Sequence, residues 1–143
     1  MSDFKSDSGK LRKALLKQAR NARQSAYCRY SNFAVGAALL TESGMIYTGC
    51  NIENASYSLC ICAERVAFAR AIAEGHRNFS AIAIAGKFQD RDVDSEIMKP
   101  ETDCFPCGAC RQFMSEFCQP DFKIYLEQQE FTLGELFPGA FKL

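Results

Sequence analysis

The stretch CAERVAFARAIAEGHRNFSAIAIAG, residues 62–86, decides how this chain folds. Its first part, 62–75, is alanine-rich, repeats apolar residues at helical spacing and ends at Gly75, which readily takes the left-handed conformation that stops a helix. FSAIAIAG, 79–86, carries no charge and reads as a strand buried inside a sheet. A helix leading into a buried strand calls for a sheet covered by helices.

Toward the N-terminus, Leu11, Leu15, Ala19, Ala22 and Ala26 recur at helical spacing, which predicts an amphipathic helix over 10–27. FAVGAALL (33–40) and MIYTGC (45–50) read as a hairpin joined by the turn residues ESG. Toward the C-terminus, a helix is predicted from near Pro106 to about Cys118, then a strand at FKIYLEQ (122–128) and a helical turn at LGELF (133–137). The order is αββαβαβ, an α/β mixed sheet with helices on both faces.

At 143 residues, 48% of them hydrophobic, the chain suits one domain spanning 1–143. The segment Lys87 to Asp103 is charged and weakly periodic, and is expected to be a solvent-exposed loop. Acidic and basic residues balance at 17 each, so no overall field gathers nucleic acid. Arg12, Lys13, Lys17, Arg20, Arg23 and Arg29 fall in an acid-free stretch and read as a solvated helix face. MSDFKSDSGK lacks an apolar signal region, and no apolar run approaches the ~18 residues of a membrane span. The expectation is a soluble, cytoplasmic protein whose 8 cysteines are thiols or metal ligands.

In CFPCGAC, residues 104–110, Cys104, Cys107 and Cys110 stand at intervals of three. An iron–sulfur run would continue with a fourth cysteine after three residues, but position 114 is Met. Pro106 also pushes Phe105 to extended geometry, which takes Cys104 off the face of Cys107 and Cys110. A redox pair at CGAC lacks the usual aromatic residue before its first cysteine. A zinc site explains more: Cys107 and Cys110 point the same way, and CICAER (60–65) supplies the remainder.

If both Cys60 and Cys62 bind, four thiolates close a structural site; if Cys62 binds alone, a position stays open and the site is suited to catalysis. The sequence favours the open site, because Cys60 lies in the apolar YSLCIC and Glu64 offers a proton carrier that a structural zinc does not need. Residues two apart on a helix diverge by about 200°. Cys62 is therefore expected at a non-helical entry, with two helix N-termini aimed at the zinc and Arg65 offsetting the thiolate charge.

CAE (62–64) and PCGACRQF (106–113), with YSNFAVGAAL (30–39) and GCNIENASY (49–57), resemble the signature of cytidine deaminases of the small homotetrameric, three-cysteine type. The likeness runs from about Leu11 to Phe141. It implies a three-layer α/β/α sandwich around a mixed five-stranded sheet, with one zinc per subunit on Cys62, Cys107 and Cys110. The implied reaction is hydrolysis of cytidine or deoxycytidine to uridine or deoxyuridine and ammonia, in pyrimidine salvage, with Glu64 moving the protons.

The resemblance further implies that Asn51 and Glu53 bind ribose, that Phe33 packs on the base, and that the Ala63 backbone contacts the pyrimidine. Tyr57 and Phe141 match positions that complete a neighbouring subunit's pocket in the homotetramer. Phe105 departs from the serine common before PCxxC, which alters the expected pocket shape, and Lys87 to Asp103 is longer than usual. A four-cysteine interaction module and a deaminase of cytosine within RNA or DNA are the competing readings.

Overall fold

The alternation in AIAIA turns out to be a division of labour between two faces of one sheet. In the computed structural model, which describes residues 3–89 and 101–143, strand β3 (Phe79–Phe88) is central. Ala81, Ala83 and Ala85 turn to helix α1 (Asp3–Ala22) and pack with Leu15, Leu16 and Ala19. Ile82 and Ile84 turn the other way, into a core with Phe68 and Ala71 of α2 (Ala63–Ala73) and Met114 of α3 (Gly108–Phe117). Side chains alternate along a strand, so this strand is apolar on both sides.

The remaining strands are β1 (Phe33–Thr41), β2 (Ile46–Cys50), β4 (Lys123–Tyr125) and β5 (Glu130–Thr132), arranged β2-β1-β3-β4-β5. Only β3–β4 is parallel, so the sheet is mixed and five-stranded, sandwiched by α1 on one side and α2 and α3 on the other. Two glycines set how closely the layers meet. A Cβ on Gly36 would lie 1.9 Å from the Ala19 carbonyl oxygen, and one on Gly49 would lie 2.4 Å from that of Ala63. The second contact brings the start of α2 onto the end of β2, which locates the site.

Helix α2 stops as its sequence predicts. Gly75 takes φ +95°, with His76 N–H bonded to Ala71 O and Gly75 N–H to Ile72 O, both at 3.0 Å. That pair of bonds is the Schellman closure. A one-turn helix α4 (Leu133–Leu136) is capped reciprocally by Thr132 and Glu135.

Three expectations are corrected. Helix α1 begins at Asp3 and ends at Ala22, not 10–27, followed by a 3-10 turn at Arg23–Ser25. Tyr27 N–H instead bonds Asn51 O at 3.0 Å, and Tyr27 O accepts from Glu53 N–H at 2.8 Å, so tertiary pairing draws the chain out of the helix. FKIYLEQ is not one strand: β4 ends at Tyr125, and a turn closed by Leu126 N–H to Gln129 O leads into β5.

The basic residues of α1 and of the 3-10 turn after it are not simply solvated. Arg12 donates to the carbonyls of Leu126, Glu127 and Gln129, Arg20 pairs with Glu127, and Arg23 grips Glu101 at 2.6 and 2.7 Å. Most of the expected loop from Lys87 to Asp103 lies outside the described residues. Its ends are tied: Lys87 and Phe88 belong to β3, Thr102 bridges to Gly86, and Glu101 is held by Arg23. Among the described residues, no helix is long and apolar enough to cross a membrane.

Candidate metal centre and the adjoining cleft

Cys62 and Cys107 occupy matching positions, each the last non-helical residue before its helix. Cys62 has φ −72° and ψ 152° ahead of α2, and Cys107 φ −69° and ψ 168° ahead of α3. The non-helical entry expected for Cys62 is there, while α3 starts two residues after Pro106, which makes Cys107 its cap. Cys110, fully buried, comes from the first turn of α3. Two helix N-termini therefore converge, and their exposed N–H groups favour negative sulfur.

The three Sγ atoms lie within 4.8 Å of one another, with Cys62 and Cys107 3.8 Å apart. Tetrahedral zinc with Zn–S bonds of about 2.3 Å requires sulfurs about 3.8 Å apart, so the donor set fits this ion in type and spacing. The electrostatics also suit a thiolate. The Cys62 thiol is pushed down to about 5, first by the Cys110 thiol donating to it, then by Arg65 and Cys107, against the effect of burial. Cys110, which gives up its hydrogen to that bond, is pushed up. Arg65 Nη2 stands 3.7 Å from Cys62 Sγ and 3.3 Å from the Cys60 carbonyl.

Glu64 is 4% exposed, in the first turn of α2. Burial, reinforced by the Cys62 charge, pushes its carboxyl up to about 7, although its own backbone N–H pulls the other way. Such a group takes and releases protons near neutrality. Cys60 stands outside the three-sulfur group: its Sγ accepts from Asn54 N–H at 3.3 Å and donates to Asn54 O at 3.7 Å, closing a turn. Cys104 is likewise outside it, with burial pushing its thiol up to about 12.

Beside this centre, a cleft of about 340 Å³ is lined by Tyr30, Ser31, Glu53, Tyr57 and Cys60. Glu53 Oε1 accepts from the N–H groups of Tyr30 (2.9 Å) and Ser31 (3.1 Å). Burial works to raise its carboxyl, but the Ser31 hydroxyl and those amides outweigh it and hold the group below its ordinary value. Tyr57 is 73% exposed, its ring edge-on to Tyr30. Asn51 staples the start of β1: its Oδ1 accepts from Val35 N–H and its Nδ2 donates to Phe33 O, both at 2.9 Å.

The Phe33 ring rests where Gly86 has no side chain, since a Cβ there would lie 2.5 Å from the ring tip and 3.0 Å from Cys104 Cβ. Ala63, fully buried, opens α2. Phe141 is not brought to this cleft: it is 66% exposed and lines another, with Gln112, Ser115 and Glu116. Phe105 turns onto Phe131 of β5, ring centroids 5.4 Å apart. Sequence reasoning missed Tyr30, Ser31 and Gly86. The first two stood in the quoted YSNF, and a glycine inside an apolar strand is itself a sign of close approach.

Comparison with known proteins agrees with this geometry. Residues 10–126 match the family model described as the cytidine and deoxycytidylate deaminase zinc-binding region. A cytidine deaminase from Halalkalibacterium halodurans is 47% identical over 91% of this chain and 93% of its own length. One from Sporosarcina psychrophila is 44% identical over 89% and 88%. The crystal structure of cytidine deaminase from Burkholderia pseudomallei superimposes with a TM-score of 0.77 at 43% identity, covering 90% of this chain and 98% of that one.

Proposed function

Because the chain belongs to the cytidine and deoxycytidylate deaminase family, we propose that it hydrolyses free cytidine and deoxycytidine to uridine and deoxyuridine, releasing ammonia. It is a zinc-dependent hydrolase. The observation that carries this reading is a buried carboxyl group, Glu64, beside three convergent thiols. Cys62, Cys107 and Cys110 would hold the zinc ion, which would supply Lewis-acid activation of water.

Glu64 would take one proton as water adds to C4 and pass it to N3, then take the second proton from the new C4 hydroxyl and pass it to the amino group as the C4–N bond breaks and ammonia leaves. A carboxyl near 7 suits this shuttle, because neither protonation state is strongly preferred at the working pH. Arg65 offsets the charge of three thiolates, which would otherwise weaken the pull on water. Phe33 packs on the base, and the Ala63 backbone contacts its edge. Glu53, held ionised by Tyr30 and Ser31, binds ribose hydroxyls together with Asn51, whose Oδ1 keeps a second lone pair.

The reading extends to a cytoplasmic homotetramer acting in pyrimidine salvage, with Tyr57 and Phe141 completing a neighbouring subunit's pocket. The support for the assembly is the exposure of Ile52 (42%), Leu59 (62%) and Ile61 (41%) along the segment that carries Glu53, and of Tyr27 (48%), which is bridged to Ile52. Sedimentation should give four subunits at micromolar concentration; a monomer would reject that assembly. For the chemistry, protein with measured zinc should lose cytidine absorbance on mixing. Turnover of a single-stranded oligonucleotide as fast as cytidine would reject the free-nucleoside assignment.

A further inference from the structure

Two side chains of the CGACRQ run have no part in this reaction, yet both reach back to backbone. Arg111 Nε donates to the Pro106 carbonyl at 2.8 Å, and its Nη1 donates to the Leu136 carbonyl at 2.6 Å. Its own N–H bonds the Cys107 carbonyl at 3.0 Å. One residue thus grips the peptides on both sides of Cys107 and also the last residue of α4. Gln112 Nε2 donates to the Phe141 carbonyl at 3.2 Å, further along the same C-terminal segment.

The grip matters because the three sulfurs are not equally secured. Cys110 is buried within α3, and Cys62 leads into a helix seated against Gly49. Cys107 is exposed and starts its helix from a loop. Packing constrains it least, so its pose depends on hydrogen bonds to the backbone around it. The Leu136 carbonyl ends α4, where no intrahelical donor serves it, and the Pro106 carbonyl precedes α3, outside its hydrogen-bond ladder. A planar guanidinium spans two acceptors in fixed geometry, whereas an ammonium is a single point.

We propose that Arg111 is a positioning residue that holds Cys107 in register for the metal by tying the Pro106 carbonyl to the Leu136 carbonyl, so that the C-terminal segment braces the metal centre. This rests on the three-thiolate zinc reading above. Loss of an outer partner of a metal ligand typically costs about 10–100-fold in affinity. The test is zinc transfer from the purified, zinc-loaded protein to an excess of chromogenic chelator, with thermal unfolding of the zinc-free proteins alongside.

Arg111→Ala should release zinc about tenfold faster or more. Arg111→Lys should also release it faster, and carries the test if the alanine variant does not fold. Gln112→Ala, which frees Phe141 without touching Pro106, should release zinc at the parent rate. The zinc-loaded protein should lose more Tm than the zinc-free protein when Arg111 is replaced. Parent-like release from both Arg111 variants, or equal Tm losses in the two forms, would overturn the positioning role while leaving the zinc reading intact. Release from Gln112→Ala as fast as from Arg111→Ala would also overturn it. A parent protein that holds no stoichiometric zinc would sink the proposed function and this inference together.

Discussion

Gly36 and Gly86 are diagonal neighbours across the β1–β3 ladder, where Gly36 pairs with Ala85 and Val35 with Gly86, and they look out on opposite faces of the sheet. On the α1 face, the missing side chain of Gly36 admits the backbone of a helix, 1.9 Å from where a Cβ would stand. On the site face, the absence at Gly86 admits a ring tip, that of Phe33. Backbone cannot yield locally, whereas the end of a side chain can rotate. The α1 face is therefore built for closeness and carries stability; the other face combines a bulky core with the residues of the proposed metal centre.

The sharpest test of that division is Glu64→Gln. Turnover of cytidine should fall by about 10²–10⁴, with zinc content retained. Parental turnover would break the assignment of chemistry to this face. Next comes Gly36→Ala, which forces α1 off the sheet and should cost about 1–3 kcal/mol by urea unfolding, while KM of the folded fraction stays parental. An unchanged urea midpoint would mean that the α1 layer is softer than its spacing implies.

Gly86→Ala should do the reverse on a smaller scale. Displacing the Phe33 ring is worth about 1 kcal/mol, roughly fivefold in KM, with little change in the unfolding midpoint. A loss of stability matching that of Gly36→Ala would erase the distinction between the faces.

The smallest effect belongs to the Arg23–Glu101 pair at the edge of the α1 layer. The Arg23 guanidinium, opposed by partial burial, holds the Glu101 carboxyl below its ordinary value. A depressed folded-state value means that the pair's contribution is present above the unfolded carboxyl's value, about 4.3, and is lost as pH falls through the folded one. The pair is partly exposed, so Glu101→Gln should cost no more than about 1 kcal/mol at pH 7. The gap between parent and variant should close in acid; a gap that widened there would reverse the sign of this linkage.

Much of the site was readable along the chain because its parts are local. Cys62 and Glu64 are two apart, Cys107 and Cys110 three apart, and the geometry of a helix start dictates which of them can point together. The stop at Gly75 and the buried strand after it follow from the same short-range rules. Harder to see was the two-residue offset at Pro106: a proline signals that a helix is near, but the cap is decided by where Cys107 sits in space. Strand β5 escaped because three residues leave too little alternation to show a period.

Local spacing and residue chemistry by themselves determined that the helices and the central strand exist and which thiols and carboxyl group stand together, since each depends on neighbours within a turn or two of chain. Only the tertiary structure decided what Gly36 and Gly86 would make room for, that Asn51 would staple β1, that Arg12, Arg20 and Arg23 would bind distant segments, and that Arg111 would join Pro106 to Leu136. Most of these contacts link residues tens of positions apart. Their energies depend on distances that exist only once the layers have closed.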